Sequence, residues 1–187
     1  MNTRDTVLVA LFAAFTVALA FFPPITIPLV GVPITAQSLG VMLAGAVLGA
    51  NRGALSMGLV LALVAVGLPV LAGGRGGLGV FMGPTAGYLV GWPLAAYATG
   101  LLFERFSGKA NYLVFSSLFC IVGGIFVMHP VGVLWLSISG GIPLDKAVLG
   151  TLVFVPGDVL KAVAAAYIAI QVRKALGATM GYGANRI

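Results

Sequence analysis

One segment of the sequence decides the fold: residues 147–172, which read AVLGTLVFVPGDVLKAVAAAYIAIQV. It is long and apolar enough to cross a bilayer, because a transmembrane helix needs about 20 mainly apolar residues. Within it lie a carboxylate, Asp158, and an ammonium group, Lys161, three residues apart. Ionisable groups inside a membrane span are costly unless they are paired or face a cavity. The sequence therefore predicts a functional site at Asp158 and Lys161.

The composition of the whole chain indicates an integral membrane protein. Hydrophobic residues make up 60% of the 187 residues and charged residues only 7%, whereas soluble domains average about 25% charged residues. We predict a single membrane domain at residues 1–187, with a helical bundle at 1–176 and a polar tail at 177–187. The basic residues form no cluster of the kind that nucleic-acid binding requires, so no nucleic-acid partner is expected.

The hydrophobic pattern predicts an all-α bundle of six transmembrane helices embedded in the lipid bilayer. Prolines and glycine-rich turns separate the segments, since proline ends or kinks a helix. A tight polar turn is expected at residues 51–53. The last helix is expected to be interrupted at Pro156. The predicted helices lie at about residues 6–22, 37–49, 54–68, 83–103, 112–138 with a kink near His129 and Pro130, and 147–172.

The basic residues predict the orientation of this bundle. With a cytoplasmic N-terminus, six helices leave only Arg75 and Lys146 outside, and Lys161 within the membrane. Cytoplasmic segments of membrane proteins carry an excess of Lys and Arg. We therefore predict a multi-pass protein of the cell membrane with both termini in the cytoplasm. The inside residues are Arg4, Arg52, Arg105, Lys109, Arg173, Lys174 and Arg186.

The same topology places the charged pair in the outer half of the membrane. Lys161 precedes Arg173 by 12 residues, which is about 18 Å at 1.5 Å per helical residue. Asp158 is about 22 Å from Arg173 by the same measure. Because the hydrocarbon core is about 30 Å thick, both Asp158 and Lys161 lie in its outer half. The glycine-rich loop at residues 72–79 and the start of the fourth helix also lie on the outer side. These features together predict a pocket that faces outward.

The candidate residues predict a small ligand that carries a carboxylate. The cations Lys161 and Arg75, and backbone N–H groups near Thr85 at a helix start, can bind an anion. Asp158 can accept from ligand N–H groups, and Tyr88 can donate a hydrogen bond or offer its ring. Backbone groups of the glycine-rich loop and of the following helix start complete the predicted ligand-binding set: Gly74, Gly77 and Gly83.

Structural alternatives remain open for each of these features. Asp158 and Lys161 can simply neutralise one another. The glycine-rich loop can be only a tight connection, and Arg75 a solvated charge. A line of glycines in the fourth helix is typical of helix packing. His129 has no neighbouring set of metal ligands in the sequence, so we assign it no role and predict no metal site.

The sequence lacks the motifs of the common hydrolase and nucleotide-binding sites, so we predict that the chain is not an enzyme and has no catalytic residues. A line of small residues, Ala10, Ala14 and Ala18, recurs every four positions in the first helix. Such a line lets another helix approach closely. That helix belongs either to a partner or to the same chain.

Several motifs in a fixed order resemble one transporter family. They are LPVLAGG at residues 68–74, GPTAGYLVG at 83–91 and VPGDVLKA at 155–162, with VPITAQ at 32–37 and LGANRGA at 48–54. The chain resembles the biotin-specific substrate-binding (S) component of energy-coupling factor (ECF) transporters over about residues 7–172. The order and spacing of these motifs are more specific than any one of them.

The resemblance implies six membrane helices and high-affinity capture of biotin from the extracytoplasmic side. It implies a membrane T-component and two ATPase subunits as partners, with biotin as ligand and no cofactor. It assigns Asp158 and Lys161 to ligand binding and the alanine line to contact with the T-component; it assigns nothing to Arg75 or His129. The alternatives are an ion-coupled carrier, an S component for a different vitamin, and a membrane assembly or sensor subunit.

Overall fold

The computed structural model describes residues 2–26, 32–110 and 112–180, with side chains described to residue 175. Most of this part of the chain is helical, as predicted. Its α-helices are α1 Thr3–Ala18, α2 Gln37–Leu48, α3 Ala50–Ala65, α4 Ala86–Arg105, α5 Leu113–Ile121, α6 Met128–Gly140, α7 Leu144–Leu152 and α8 Val155–Met180.

Four helical segments are long and apolar enough to cross a membrane: Thr3–Phe21, Ala86–Arg105, Leu113–Gly140 and Val155–Ala175. The helices α2 and α3 are apolar but shorter, with 12 and 16 residues. The all-α membrane class is therefore confirmed. The count of six spans and the cytoplasmic position of both termini remain predictions.

The helices α5 and α6 form one continuous segment through a π-helical turn at Val122–Val127. The helix thus continues past Pro130, as the sequence suggested. Proline has no N–H group to donate to the preceding turn. A π-helical turn directly before it is a common irregularity in α-helices, frequently at functional sites.

The junction between α2 and α3 differs from the prediction. Asn51, Arg52 and Gly53 were expected to form a polar turn, but they belong to the first turn of α3. The single residue Gly49, with φ of 84°, makes the whole turn, because glycine adopts positive φ without steric cost. The Glu104 carboxylate then accepts from the N–H of Ala50 at 2.9 Å and so caps α3.

One face of α1 packs on the bundle and buries Val9, Phe12, Ala13 and Thr16. The other face carries the alanine line, and Ala10, Ala14 and Ala18 are all exposed. Larger exposed side chains such as Leu11 and Phe15 stand beside them. The alternative that this line packs within the chain is therefore wrong for the described structure.

The predicted last helix is divided into α7 and α8. The break falls at residues 153–154, two positions before Pro156, which lies in the first turn of α8. Proline is tolerated there because first-turn N–H groups lack helical partners anyway. The helix continues to Met180, beyond the predicted start of the polar tail at 177. Residues 181–187, including Arg186, lie outside the described residues.

Two connections cover the end of the bundle that holds the charged pair. Ile25–Thr26 pairs antiparallel with Pro33–Ile34 in a two-stranded ladder, β1 and β2. The charge-free sequence of residues 25–36 predicts an ordered apolar loop here. The second connection contains a bridge between Leu71 and Arg75 and a 3₁₀ turn at Leu78–Met82. The helix α4 starts at Ala86 rather than at the predicted Gly83.

Candidate functional site

A cavity lies between α2, α4, α6 and α8 and below these two connections. Its lining surrounds about 560 Å³ of empty space, part of which is open solvent at the mouth. Five predicted site residues line it: Asp158, Lys161, Tyr88, Thr85 and Arg75. Its apolar wall contains Leu71, Leu89, Trp92, Met128 and Phe154.

The Asp158 carboxylate is the centre of the polar side of the cavity. Its Oδ1 accepts hydrogen bonds from Ser38 Oγ at 3.0 Å and from Lys161 Nζ at 2.9 Å. Its Oδ2 lies 2.9 Å from His129 Nε2. Lys161 Nζ also donates to Ser38 Oγ at 3.1 Å. These four residues, Asp158, Lys161, Ser38 and His129, form what we term the Asp158 cluster.

The spacing of the charges in α8 explains their pairing. Residues at i and i+3 lie on the same side of a helix, so Asp158 and Lys161 both face α2. Asp158 is only 4% exposed, and a buried carboxylate is stable only when a cation and hydrogen-bond donors surround it. Mutual neutralisation and a ligand site are thus compatible here, since both side chains also line the cavity.

Tyr88 contributes mainly its ring. The hydroxyl lies 2.7 Å from Thr151 Oγ1, and the ring makes edge contacts with His129 and Phe154. This packing depends on Gly132, since a Cβ there would lie 2.4 Å from the Tyr88 ring. The Tyr88 ring is therefore held as a rigid part of the wall.

Arg75 lies at the mouth of the cavity in the glycine-rich connection. Its Nε donates to Ala72 O at 3.2 Å, and it makes no salt bridge with any described residue. Burial lowers the pKa of the Arg75 guanidinium from its ordinary value, but arginine stays charged in proteins. Arg75 thus presents a cation to the cavity, and its role as a ligand contact remains a prediction.

The three predicted glycines lie outside the cavity lining. Gly74 and Gly77 have φ of 70° and 88°, and the N–H of Gly77 donates to Val64 O at 2.7 Å. The carbonyl of Gly83 accepts from Trp135 Nε1 at 3.0 Å. Their contacts in the structure are those of turns and packing. Their role in ligand binding remains a prediction.

The helix-packing interpretation of the α4 glycines agrees with the structure. A Cβ on Gly87 would lie 2.2 Å from Trp135 Cβ. A Cβ on Gly91 would lie 3.3 Å from two Met128 atoms. These glycines let α4 and α6 approach closely.

Sequence reasoning missed three polar residues of the site: Ser38, His129 and Gln37. His129 is the single histidine of the chain and lies inside an apolar span. The rule that singled out Asp158, that intramembrane ionisable groups have a function or a partner, applies equally to it. Ser38 and Gln37 carry no comparable signal, because uncharged polar residues are ordinary at a helix start.

Gln37 connects three parts of the end of the bundle that holds the cavity. Its Nε2 donates to Thr16 O at 3.2 Å and to Val70 O at 3.1 Å. Its Oε1 accepts from the N–H of Ala72 at 3.0 Å. Gln37 is 1% exposed and borders the cavity. It therefore ties α1 and α2 to the connection that carries Arg75.

Among the described residues no group of three or more His, Cys, Asp or Glu side chains could hold a metal ion. The site is instead a cation–anion pair with neutral donors beside an aromatic wall. Such a set suits an organic ligand with both polar and apolar parts.

Comparison with known proteins identifies the family. Residues 1–178 match the family described as the BioY family. The chain belongs to the BioY family. It is 53% identical over 172 residues to the biotin transporter BioY of Rhizobium etli, covering 90% of this chain and 92% of the relative. It is 49% identical over 175 residues to the biotin transporter BioY of Rhodobacter capsulatus, covering 89% and 91%.

A solved structure supports the same assignment. The chain resembles a crystal structure of the S-component for biotin from an ECF-type ABC transporter, with a TM-score of 0.87 and 34% identity. The match covers 93% of this chain and 95% of the other. The resemblance drawn from the sequence motifs is thus confirmed. This BioY protein is a multi-pass protein of the cell membrane, from a family of transporters and not of enzymes.

Proposed function

We propose that this BioY protein captures biotin from the extracytoplasmic side, as the substrate-binding subunit of an ECF transporter. The observation that carries the proposal is the Asp158 cluster, which faces an aromatic-walled cavity in a chain that shares the fold of a biotin S-component. Four relatives that are similar in sequence bear the name of biotin transporter.

The chemistry of biotin fits the chemistry of the cavity. The ureido ring of biotin has N–H donors and a carbonyl acceptor, which suit the Asp158 carboxylate and the Lys161 ammonium. Its apolar ring and chain suit a wall that includes Trp92 and Phe154. Its carboxylate can be balanced by Lys161, by Arg75 or by the start of α4, and either end can point inward.

The net charge of the cavity supports a monoanionic ligand. Asp158 and Lys161 neutralise each other at 2.9 Å. Arg75 adds a positive charge that no described acidic side chain pairs with. One carboxylate on the ligand would balance this charge. The ion-coupled carrier is less well supported, because Asp158 is engaged by three donors of its own protein.

The positions of the basic residues support entry from outside. Arg52 pairs with Asp5, near the start of α1, at 2.8 Å. Gln37, which borders the cavity, bonds to Thr16 near the end of α1. The cavity and Arg52 therefore lie at opposite ends of this helix. If the basic end is cytoplasmic, as is typical of membrane proteins, the mouth of the cavity opens on the extracytoplasmic side, which supports capture from outside.

The exposed alanine line supports a membrane partner. Close helix packing in membranes uses small residues at the interface, and Ala10, Ala14 and Ala18 are all exposed on α1. We assign this face to the T-component, which would join the subunit to two ATPases. These partners would supply the energy for uptake.

Biotin binding by the purified chain tests the proposal. A ligand that binds only the folded state raises the thermal midpoint, so biotin should raise it in a saturable way, and calorimetry should give a single site. Other vitamins serve as matched controls. Saturable stabilisation by another vitamin and not by biotin would assign the subunit to that vitamin, and no stabilisation by any of them would favour the assembly role.

A further inference from the structure

We infer that His129 is a positioning residue for ligand recognition, which holds Oδ2 of Asp158 so that one acceptor position is left for a ligand N–H. The inference rests on the proposed function and adds a residue to it. His129 itself does not line the cavity, and it is only 6% exposed. It acts on the ligand through Asp158.

The hydrogen bonds of the carboxylate leave little capacity unused. A carboxylate offers about four acceptor positions, two on each oxygen. Ser38 and Lys161 occupy both positions on Oδ1, at 3.0 and 2.9 Å. His129 Nε2 occupies one position on Oδ2 at 2.9 Å. One position on Oδ2 is left, and it can accept one N–H from a molecule in the cavity.

The partner also determines which ring nitrogen of His129 carries a proton. An ionised carboxylate only accepts hydrogen bonds, so Nε2 must be the protonated nitrogen that donates to Asp158. The charges near His129 come from Asp158 and from Lys161, both on α8, and the titratable side chain of α4 that touches the ring is Tyr88. The bond to Asp158 thus requires a proton on Nε2 of His129.

The walls around His129 keep its ring from turning away. Tyr88 and Phe154 contact the ring edge-on, with centroids 6.2 and 6.3 Å away. An apolar side chain of similar size at this position would keep the packing but remove the donor. Oδ2 would then have two vacant positions, and the carboxylate could rotate toward Lys161. Ligand recognition should weaken although the helix contacts survive.

Three variants separate donation from packing. His129→Phe removes the donor and keeps a ring, whereas His129→Gln keeps an amide donor near the position of Nε2. Val133→Ala, at a buried position of α6 outside the cavity lining, is the packing control. Biotin affinity and the thermal midpoint of the ligand-free protein are measured for each.

We expect His129→Phe to weaken biotin binding about tenfold or more, the loss typical of a hydrogen bond to a charged group. His129→Gln should stay within about threefold of the wild type, because the donor is retained. Val133→Ala should lower the thermal midpoint but leave the affinity within about threefold. Wild-type affinity in His129→Phe overturns the inference, and so does a His129→Gln variant as weak as His129→Phe.

A measurement on the unmodified chain decides the question if His129→Phe does not fold. The chain has one histidine, so ¹⁵N-histidine labelling yields a single imidazole. We expect a proton on Nε2, with a shift of the Nε2 signal when biotin is added. A proton on Nδ1 alone, or an unchanged signal at saturating biotin, overturns the inference.

The same experiments distinguish this inference from the proposed function. A wild-type chain that does not bind biotin overturns the proposed function and the inference together. Biotin binding by the wild type, combined with an unaffected His129→Phe variant, overturns the inference alone.

Discussion

Two ion pairs in this protein have nearly the same length but different surroundings. Arg52 and Asp5 are 2.8 Å apart, and their side chains are 41% and 22% exposed. Lys161 and Asp158 are 2.9 Å apart, with side chains 18% and 6% exposed. The first pair joins α1 to α3 at one end of the bundle. The second belongs to the Asp158 cluster and lines the cavity at the other end.

The difference shows that burial, and not distance, sets the demands on an ion pair. An exposed pair is screened and stays hydrated, so it contributes little to stability. A buried pair must replace its lost hydration with other hydrogen bonds. Asp158 accordingly has Ser38 and His129 as further partners. The buried pair is therefore the one whose disruption should affect function most.

The largest effect is expected for Asp158→Asn. The change leaves the Lys161 ammonium without its counter-charge in the cavity wall, and breaking a buried pair costs about 3–5 kcal/mol. We expect biotin affinity to fall by about 100-fold or more, measured by calorimetry. The matched control is Asp145→Asn, an exposed acid of α7, which should bind biotin normally. Wild-type affinity in Asp158→Asn would remove Asp158 from the ligand site.

A neutral buried group should give the next largest effect. Gln37→Leu leaves two carbonyls and the N–H of Ala72 without their partner. With about 1 kcal/mol for each lost hydrogen bond, we expect a loss of about 2–4 kcal/mol in the free energy of unfolding. The thermal midpoint and the biotin dissociation rate are the measurements. Unchanged values would mean that water replaces the amide at no cost.

The exposed face of α1 should affect assembly and not ligand binding. Ala14→Leu adds bulk to the small-residue line, and we expect about a tenfold weaker association with the T-component and ATPases, since such interfaces depend on close approach. Co-purification of the complex measures this. Val114→Leu, at an exposed position of α5, is the control. Biotin affinity should be unchanged in both, and normal assembly of Ala14→Leu would place the partner elsewhere.

The smallest effect is expected for the exposed pair itself. In Arg52→Gln the salt bridge to Asp5 is lost, but both side chains can be hydrated. Biotin affinity should stay within about twofold of the wild type, because exposed pairs contribute little. A tenfold loss of affinity, with folding intact, would show that the two ends of α1 are coupled. The exposed pair would then matter to binding as the buried pair does.

Several elements could be predicted closely from the sequence. The bounds of α2 agree with the structure within about one residue, and the continuous helix through Pro130 was anticipated. The strong signals were local: long apolar runs, prolines and unusual charges. The turn at residues 51–53 was wrong because Gly49 alone makes the junction, helped by Glu104 from a distant helix. A cap from a residue 54 positions away leaves no local pattern.

In the candidate site, too, residues with a local signal could be predicted and most of those that act through distant contacts could not. Asp158, Lys161, Tyr88, Thr85 and Arg75 were found from charge, position and motif, and all line the cavity. Ser38 was missed because its importance comes from its contact with Asp158 across 120 positions of the chain. His129, 29 positions from Asp158, was missed although an ionisable side chain in an apolar span is itself a signal. Gly74, Gly77 and Gly83 were included for their backbone groups. They lie outside the cavity lining, and their contact with a ligand stays a prediction.

Hydrophobicity and helical spacing act between near neighbours, so the sequence suffices to predict the membrane class, the helical architecture and the charged pair in α8. What surrounds that pair depends on how the helices pack. A buried carboxylate needs donors from several directions, and one helix can present only one side to it. Asp158 therefore completes its hydrogen bonds with side chains from α2 and α6, whose proximity only the packing of the bundle creates.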